Sequence, residues 1–316
     1  MARPGSGRRV RGAALGATAL AMVVAAGCGT SAPSPGGDET ATAGGKLEVV
    51  ATIDAWGGIA AALGGDKVHE TGIITNPDTD PHDYEPTPAD ARAVAGAKVV
   101  IANGIGYDAW ADRLLAASPG KDRVELNIGK QLNVPADGNP HQWYSPAAVA
   151  AVADLVTANY KRADPADAAY FDQRHDRFVS GDLARYQALI AEIRQKYAGT
   201  PVGASESIVE PLAQALGLNL VTPEAFLKAI SEGTDPSPAD KAAIDAQITA
   251  KALKVYIFNS QNSTPDVQAQ VDAAKRAGIE VTTVTETPAP AGATFQDWQT
   301  GQLQALADAL HRATGA

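Results

Sequence analysis

Two of the five histidines in the chain share a local setting that suits metal coordination. His82 lies in DPHDYEPTP (residues 80–88), and His141 lies in GNPHQWYSP (residues 138–146). In each segment the histidine follows a proline, an aromatic residue comes two positions later, and a Ser/Thr-Pro pair that would start a helix follows. Because imidazole is a common ligand for divalent metals, we expect both histidines to bind one ion.

The remaining histidines, His69, His175 and His311, lack this setting and are expected not to be ligands. A single histidine in a loop is more often a surface hydrogen-bonding group than a ligand. The metal hypothesis therefore depends on the repeated setting and not on either histidine alone.

The N-terminus carries an export signal. Residues 1–12 contain four arginines and no acidic residue, and residues 13–24 are an apolar run of twelve residues. Since a membrane-spanning helix needs about 20 residues, this run predicts a signal peptide over residues 1–27. Cys28, the only cysteine, follows three small residues in an arrangement that resembles a bacterial lipobox, although Ala25 stands where Leu is usual. We expect Cys28 to be lipidated; the alternative is an ordinary signal peptide with an incidental cysteine.

A short tether is predicted to follow the signal peptide. Residues 28–45 are mostly Gly, Ser, Thr, Ala and Pro, which cannot bury a core. The folded part is expected to begin near Lys46, and with a single cysteine it has no intrachain disulfide and must depend on a hydrophobic core. A formal net charge of -10 argues against nucleic acid as a partner.

Short runs rich in Val and Ile alternate with helical patterns along the mature chain, which is typical of parallel α/β units. The runs predicted to be strands of a first lobe are residues 47–53, 72–75, 98–102 and 124–128. Those predicted for a second lobe are residues 201–204, 218–221, 254–258 and 280–285. We therefore expect an N-terminal lobe over residues 46–166 and a C-terminal lobe over residues 199–316.

One long helix is predicted to connect the lobes, over residues 167–198. Aromatic and Ile residues recur there at helical spacing, and no proline interrupts the pattern. Gly181 and Asp182 are a weak point at which a kink is possible. Other helices are predicted to begin at Ser/Thr-Pro pairs, with the hydroxyl as the cap and proline in the first turn. The predicted caps are Thr87, Ser145, Thr222, Ser237 and Thr264.

The two histidine segments, the connecting helix and the lipobox-like start together resemble the zinc/manganese substrate-binding proteins of ABC transporters, a family that includes proteins described as metal-binding adhesins. The likeness covers about residues 46–316. It implies an α/β fold of two lobes with parallel-type sheets flanked by helices. One long backbone helix would join the lobes, with a metal site in the cleft.

The resemblance implies four metal ligands from four segments. His82 and His141 match the family's two histidines of the first lobe. Glu206 falls at the third position, counted back from ALGL at residues 215–218, and Glu286 follows the last strand at the fourth. The alternatives are a carboxylate at a helix N-terminus for Glu206 and a solvated strand end for Glu286.

Asn259 and Gln261 follow the predicted strand at residues 254–258 and are expected to contact the ligands without binding the ion. Two histidines and two glutamates would make a neutral site with a divalent ion. Such a donor set binds Zn²⁺ well and is richer in oxygen than a site with three histidines, which favours Mn²⁺ or Fe²⁺. The choice between Zn²⁺ and Mn²⁺ stays open at this point.

The function implied is that of an extracytoplasmic protein that captures Zn²⁺ or Mn²⁺ and delivers it to an ABC permease driven by its ATPase. The protein would be a monomer anchored to the cell membrane by lipid, with no organic cofactor and no enzymatic activity. A metal-dependent adhesin or structural lipoprotein is the alternative. A metallohydrolase is disfavoured, because four protein ligands would leave no position for water. Affinity for the ion is expected to fall as the pH drops, because protons compete with the ion for His82 and His141.

Overall fold

The computed structural model describes residues 45–76, 79 and 84–316. The predicted signal peptide, nearly all of the predicted tether, Cys28 and His82 therefore lie outside the described residues. Within the described part of the chain, no helix is both long enough and apolar enough to span a membrane.

The N-terminal lobe is built on a sheet of four parallel strands in the order β2-β1-β3-β4. The strands are β1 (Leu47–Ile53), β2 (Val68–Ile74), β3 (Val99–Ala102) and β4 (Val124–Asn127). The two central strands are almost entirely buried, as expected for a parallel sheet covered on both faces. Its helices are α1 (Asp54–Gly64), α2 (Pro88–Gly96), α3 (Ala109–Ala117), α4 (Ile128–Gln131) and α5 (Pro146–Ala163).

The long connecting helix is bent. It consists of α6 (Ala168–Arg177), a π-helical segment (Phe178–Asp182) and α7 (Ala184–Tyr197). The predicted weak point at Gly181 lies inside the π-helical segment, where the wider turn interrupts the regular hydrogen bonding of the helix. The stripe of large apolar side chains predicted from the sequence faces the core. Its buried members are Phe171, Phe178, Tyr186, Ile193 and Tyr197.

The C-terminal lobe repeats the architecture with a second parallel sheet in the order β6-β5-β7-β8. The strands are β5 (Pro201–Ala204), β6 (Asn219–Leu220), β7 (Val255–Asn259) and β8 (Glu280–Val284). Its helices are α8 (Glu210–Leu216), α9 (Glu224–Ser231), α10 (Pro238–Thr249), α11 (Pro265–Ala277) and α12 (Phe295–Thr314). Helix α12 packs on α7 and β8 and also contacts α1, so the last helix contacts elements of both lobes. The two-lobed α/β fold predicted from the sequence is confirmed.

Four of the five predicted helix caps are confirmed, and one is wrong. The side chains of Thr87, Ser145, Ser237 and Thr264 each accept a hydrogen bond from a backbone N–H in the first turn of their helix. Helix α9 begins at Glu224, and the predicted cap Thr222 does not bond to it. Instead the buried Thr222 hydroxyl accepts from the backbone N–H of Ala204, at the end of the neighbouring strand β5.

The second strand is longer than predicted. The sequence placed it at residues 72–75, whereas β2 begins at Val68. Its first half contains His69 and Glu70, which a search for continuous apolar runs excludes. This polar half is tolerated because β2 is the edge strand of its sheet, where His69 pairs with Glu48 at the surface.

Candidate metal centre

Three of the four predicted ligands meet in the cleft between the lobes. One candidate ligand atom from each of His141, Glu206 and Glu286 lies within 4.8 Å of the other two. All three side chains are buried, with 0%, 0% and 3% of their surface exposed. The histidine comes from the N-terminal lobe and both glutamates come from the C-terminal lobe. The position of the fourth predicted ligand, His82, is not described.

The histidine is held by the loop that carries it. Asn139 Oδ1 lies 2.9 Å from both the backbone nitrogen and Nδ1 of His141. Asn103, which follows strand β3, donates from its side-chain amide to the carbonyl of Pro140. The imidazole ring packs edge-on against Tyr107 and Trp143, with ring centroids 5.9 and 5.3 Å away. These contacts direct Nε2 towards Glu286, whose Oε1 lies 3.5 Å away.

Glu206 follows strand β5 and is held by two asparagines. Asn259 Nδ2 donates to its Oε1 at 2.7 Å, and Asn262 Nδ2 donates to its Oε2 at 2.7 Å. Asn259 ends strand β7, and its backbone N–H donates to the hydroxyl of Ser205. Two adjacent parallel strands therefore fix this carboxylate at their carboxyl ends, which is the usual location of ligand sites in such sheets.

Glu286 follows the third of these strands, β8, and is held from both lobes. Asn259 Nδ2 donates to its Oε1 at 2.8 Å, so one amide group connects the two carboxylates. From the N-terminal lobe, the hydroxyl of Tyr107 donates to Oε2 at 3.0 Å. The alternative of a solvated strand end does not describe this side chain, because it is buried and hydrogen-bonded.

The residues on either side of Glu286 are also held by hydrogen bonds. The predicted neighbour Gln261 bonds to Thr287 twice, donating from Nε2 to its hydroxyl and accepting from its backbone N–H at Oε1. Tyr144, from the N-terminal lobe, donates to the carbonyl of Thr285. Gln261 therefore positions the backbone next to Glu286, whereas Asn259 contacts the carboxylates themselves.

Burial shifts the pKa values of Glu206 and His141 towards their uncharged forms. Desolvation, followed by the nearby charge of Glu286, raises the pKa of Glu206 to about 8. Desolvation lowers the pKa of His141 to about 4, against the opposing attraction of Glu206. A neutral imidazole and two carboxylates facing one another form an electron-rich cluster, and a divalent cation is the species that would stabilise it.

A cleft of about 280 Å³ lies beside the cluster. Both lobes line it, with Tyr107 and Asn139 on one side and Ser207, Glu210 and Glu224 on the other. Sequence analysis did not predict the roles of Tyr107, Asn139 or Asn262, and no local motif marks Tyr107. Asn139 belongs to the Asn-Pro-His segment and could have been found from that motif, and Asn262 belongs to the same polar run as Asn259.

Comparison with protein families decides the relationship. A family described as the periplasmic component A of the zinc-uptake complex (ZnuA) matches residues 49–309. The chain belongs to this family. The resemblance stated from the sequence is thereby confirmed over nearly all of the folded part.

Individual relatives agree with this assignment. The manganese-binding lipoprotein MntA of Halalkalibacterium halodurans is 29% identical over 148 residues, which are 45% of this chain and about half (47%) of that protein. The metal ABC transporter substrate-binding lipoprotein ScbA of Streptococcus cristatus is 24% identical over 78% of this chain and 83% of its own. The solved structure of the periplasmic zinc binding protein TroA from Treponema pallidum shares the fold, with a TM-score of 0.69 and 19% identity, over 85% of this chain and 99% of that one.

Proposed function

We propose that this protein captures Zn²⁺ or Mn²⁺ between its lobes through His141, Glu206 and Glu286, with His82 as the fourth ligand. The observation that carries the proposal is the burial of two carboxylates and one imidazole within 4.8 Å of one another. Two adjacent carboxylates are costly to bury unless a cation or protons compensate their charge. A divalent ion would satisfy all three side chains at once.

Delivery to a transporter follows from the family and not from the geometry of the site. ScbA is named a metal ABC transporter substrate-binding lipoprotein, and MntA is named a manganese-binding lipoprotein. By analogy, this chain would work as a monomer outside the cytoplasmic membrane, anchored through a lipid on Cys28. It would pass the ion to an ABC permease driven by a cytoplasmic ATPase. Its role would be binding and transfer, without catalysis.

The choice of metal depends on how many carboxylate oxygens reach the ion. Among the described residues, each oxygen of Glu206 and Glu286 already accepts at least one hydrogen bond, from Asn259, Asn262 or Tyr107. These bonds restrain both carboxylates and favour one oxygen from each, which suits the tetrahedral geometry preferred by Zn²⁺. Mn²⁺ would gain more from carboxylates that bind through both oxygens. Competition between the two ions for purified protein, read by elemental analysis, decides between them.

The ligand assignment is tested by affinity measurements on single variants. H141A, E206Q and E286Q should each weaken Zn²⁺ binding by at least about 100-fold, since each removes a direct ligand. H175A is the matched control, because His175 on the connecting helix pairs with Asp154 at the surface, away from the cluster. Competition with a chelator measures the affinities of the variants and of H175A, and circular dichroism checks that each protein is folded. Wild-type affinity in a folded H141A or E206Q protein would refute the proposed site.

His82 needs its own comparison because its position is not described. H82A should weaken binding as H141A does, whereas H69A should not, because His69 pairs with Glu48 at the surface. In cells, the H82A/H141A double variant should abolish metal-dependent growth under chelation. Unchanged growth would indicate adhesion or a structural role instead of transport. Mass spectrometry of the mature protein tests the lipid on Cys28, which a C28A variant should lack.

A further inference from the structure

We propose that Asn139 and Glu210 form a hydrogen-bonded relay across the cleft that sets the tautomer of His141. This inference rests on the proposed role of His141 as a metal ligand. It adds that a residue of the opposite lobe helps to fix which ring nitrogen is available to the ion. In this relay Asn139 is a positioning residue and Glu210 fixes its orientation.

Partners in both lobes determine the orientation of the Asn139 side chain. Its Nδ2 lies 2.6 Å from the carbonyl oxygen of Ser207 and 2.7 Å from Oε2 of Glu210. A carbonyl and a carboxylate can only accept hydrogen bonds, so the amide nitrogen of Asn139 must face them. The amide oxygen is therefore turned the other way, towards His141, where it also accepts a hydrogen bond from the backbone N–H of that residue.

The orientation of this amide in turn selects the tautomer. Asn139 Oδ1 lies 2.9 Å from Nδ1 of His141 and can only accept. In the neutral imidazole Nδ1 must then carry the hydrogen, which leaves the lone pair on Nε2. Nε2 is the atom that faces Glu286 Oε1 across the cluster. The relay thus presents the metal-binding lone pair to the carboxylates and not to the loop.

The relay couples the tautomer to closure of the lobes. Asn139 and His141 belong to the N-terminal lobe, whereas Ser207 and Glu210 begin the segment after β5 in the C-terminal lobe. If the lobes separate, Asn139 loses both acceptors, and only the backbone N–H of His141 still holds its amide oxygen in place. The other tautomer, with its hydrogen on Nε2, then becomes more accessible. Closure of the cleft therefore favours the tautomer that presents Nε2 to the metal.

The tautomer can be read directly in the metal-free protein. With ¹⁵N-labelled histidine at about pH 8, the nitrogen chemical shifts of His141 should show Nδ1–H in the wild type. N139A should shift the population towards Nε2–H, and E210A should do so partly, because Ser207 and the backbone N–H of His141 still hold the amide. E210Q keeps an acceptor oxygen and should retain the wild-type tautomer. The resonances of the His141 ring nitrogens are identified by their absence from the spectrum of H141A.

Affinity for Zn²⁺ gives the second readout. N139A should weaken binding by about 10- to 100-fold, the usual effect of removing a partner of a metal-bound histidine. E210A should weaken it less, and the N139A/E210A double variant should bind no more weakly than N139A alone, because both changes break one relay. E224A is the matched control, since Glu224 lines the same cleft and its removal changes the charge equally.

The outcomes separate this inference from the proposed function. If N139A and E210A fold, keep Nδ1–H and bind Zn²⁺ as the wild type does, the relay is refuted even when H141A loses the ion. Equal losses in E210A and E224A would also refute it, because they would show that only charge matters. If H141A binds Zn²⁺ normally, the proposed function fails instead. The tautomer shift in metal-free N139A would then still establish the hydrogen-bonded relay.

Discussion

Metal binding at this site should displace a proton from the two carboxylates and not from His141. Burial and the neighbouring charge of Glu286 raise the pKa of Glu206 to about 8, although hydrogen bonds from Asn259 and Asn262 partly oppose the shift. Burial lowers the pKa of His141 to about 4. Near neutral pH the imidazole is therefore already uncharged, while the carboxylate pair retains a proton that the ion must remove.

The magnitude follows from the competition of one proton with the ion. The apparent affinity is reduced by a factor of one plus ten raised to the difference between the pKa and the pH. For a pKa of about 8, lowering the pH from about 8.5 to about 7 should weaken binding about eightfold. An imidazole with an ordinary pKa of about 6.5 would change the affinity only about 1.3-fold over the same interval.

The assay is competition for Zn²⁺ with a chelator at several pH values, corrected for protonation of the chelator. Calorimetry in two buffers with different ionisation enthalpies should independently count about one released proton near neutral pH. H175A, which changes a surface histidine, should show the same pH dependence as the wild type. A change of less than about twofold between pH 8.5 and 7 would refute the reasoning, because it would show that both carboxylates are ionised before the ion binds.

Three further predictions concern the cluster and the stability of the fold. Burial, followed by the charge of Asp54, raises the pKa of Glu70 from 4.5 to about 7, so stability should fall as the pH rises between these values. At pH 8 the free energy of unfolding of E70Q should therefore exceed that of the wild type by up to about 3 kcal/mol. Chemical denaturation should show that this difference disappears near pH 4.5. N259A removes the donor shared by both carboxylates and should weaken Zn²⁺ binding about 10- to 100-fold in chelator competition. T87A removes the cap of α2 and should lower the free energy of unfolding by about 1 kcal/mol, measured with urea.

Most of the fold could be predicted because parallel strands buried on both faces appear in sequence as continuous apolar runs. All eight predicted strands are present, and β1 and β5 have the predicted bounds. The first half of β2 was missed because it contains His69, which an edge strand tolerates at the surface, and Glu70, whose partial burial no apolar run indicates. The cap predicted at Thr222 was wrong because a hydroxyl before a proline can serve a neighbouring strand as well as a helix.

Fewer features of the metal site than of the fold could be predicted from the sequence. His141 has a local motif, but Glu206 and Glu286 were reached only through the family resemblance. Tyr107 donates to Glu286 across 179 positions of the chain, and Asn139 reaches Glu210 across 71. Contacts between the lobes depend on how two sheets and their helices pack together, and no local periodicity or motif encodes that arrangement. The pH argument changed for the same reason, because the pKa values of His141 and Glu206 depend on burial in the assembled cleft.

The groups that hold the carboxylates would allow the proposed site to bind an ion tightly and still release it. Asn259, Asn262 and Tyr107 are neutral donors, so they fix the carboxylate oxygens of Glu206 and Glu286 without cancelling their charge. A lysine in their place would act as a permanent counterion and compete with the metal. With neutral donors, the charge of the pair remains available to a divalent ion in the closed cleft. Separating the lobes would move Tyr107 and His141 away from the glutamates and admit water. Water would weaken the electrostatic attraction between the ion and the carboxylates, so that the ion could leave to solution or to a partner.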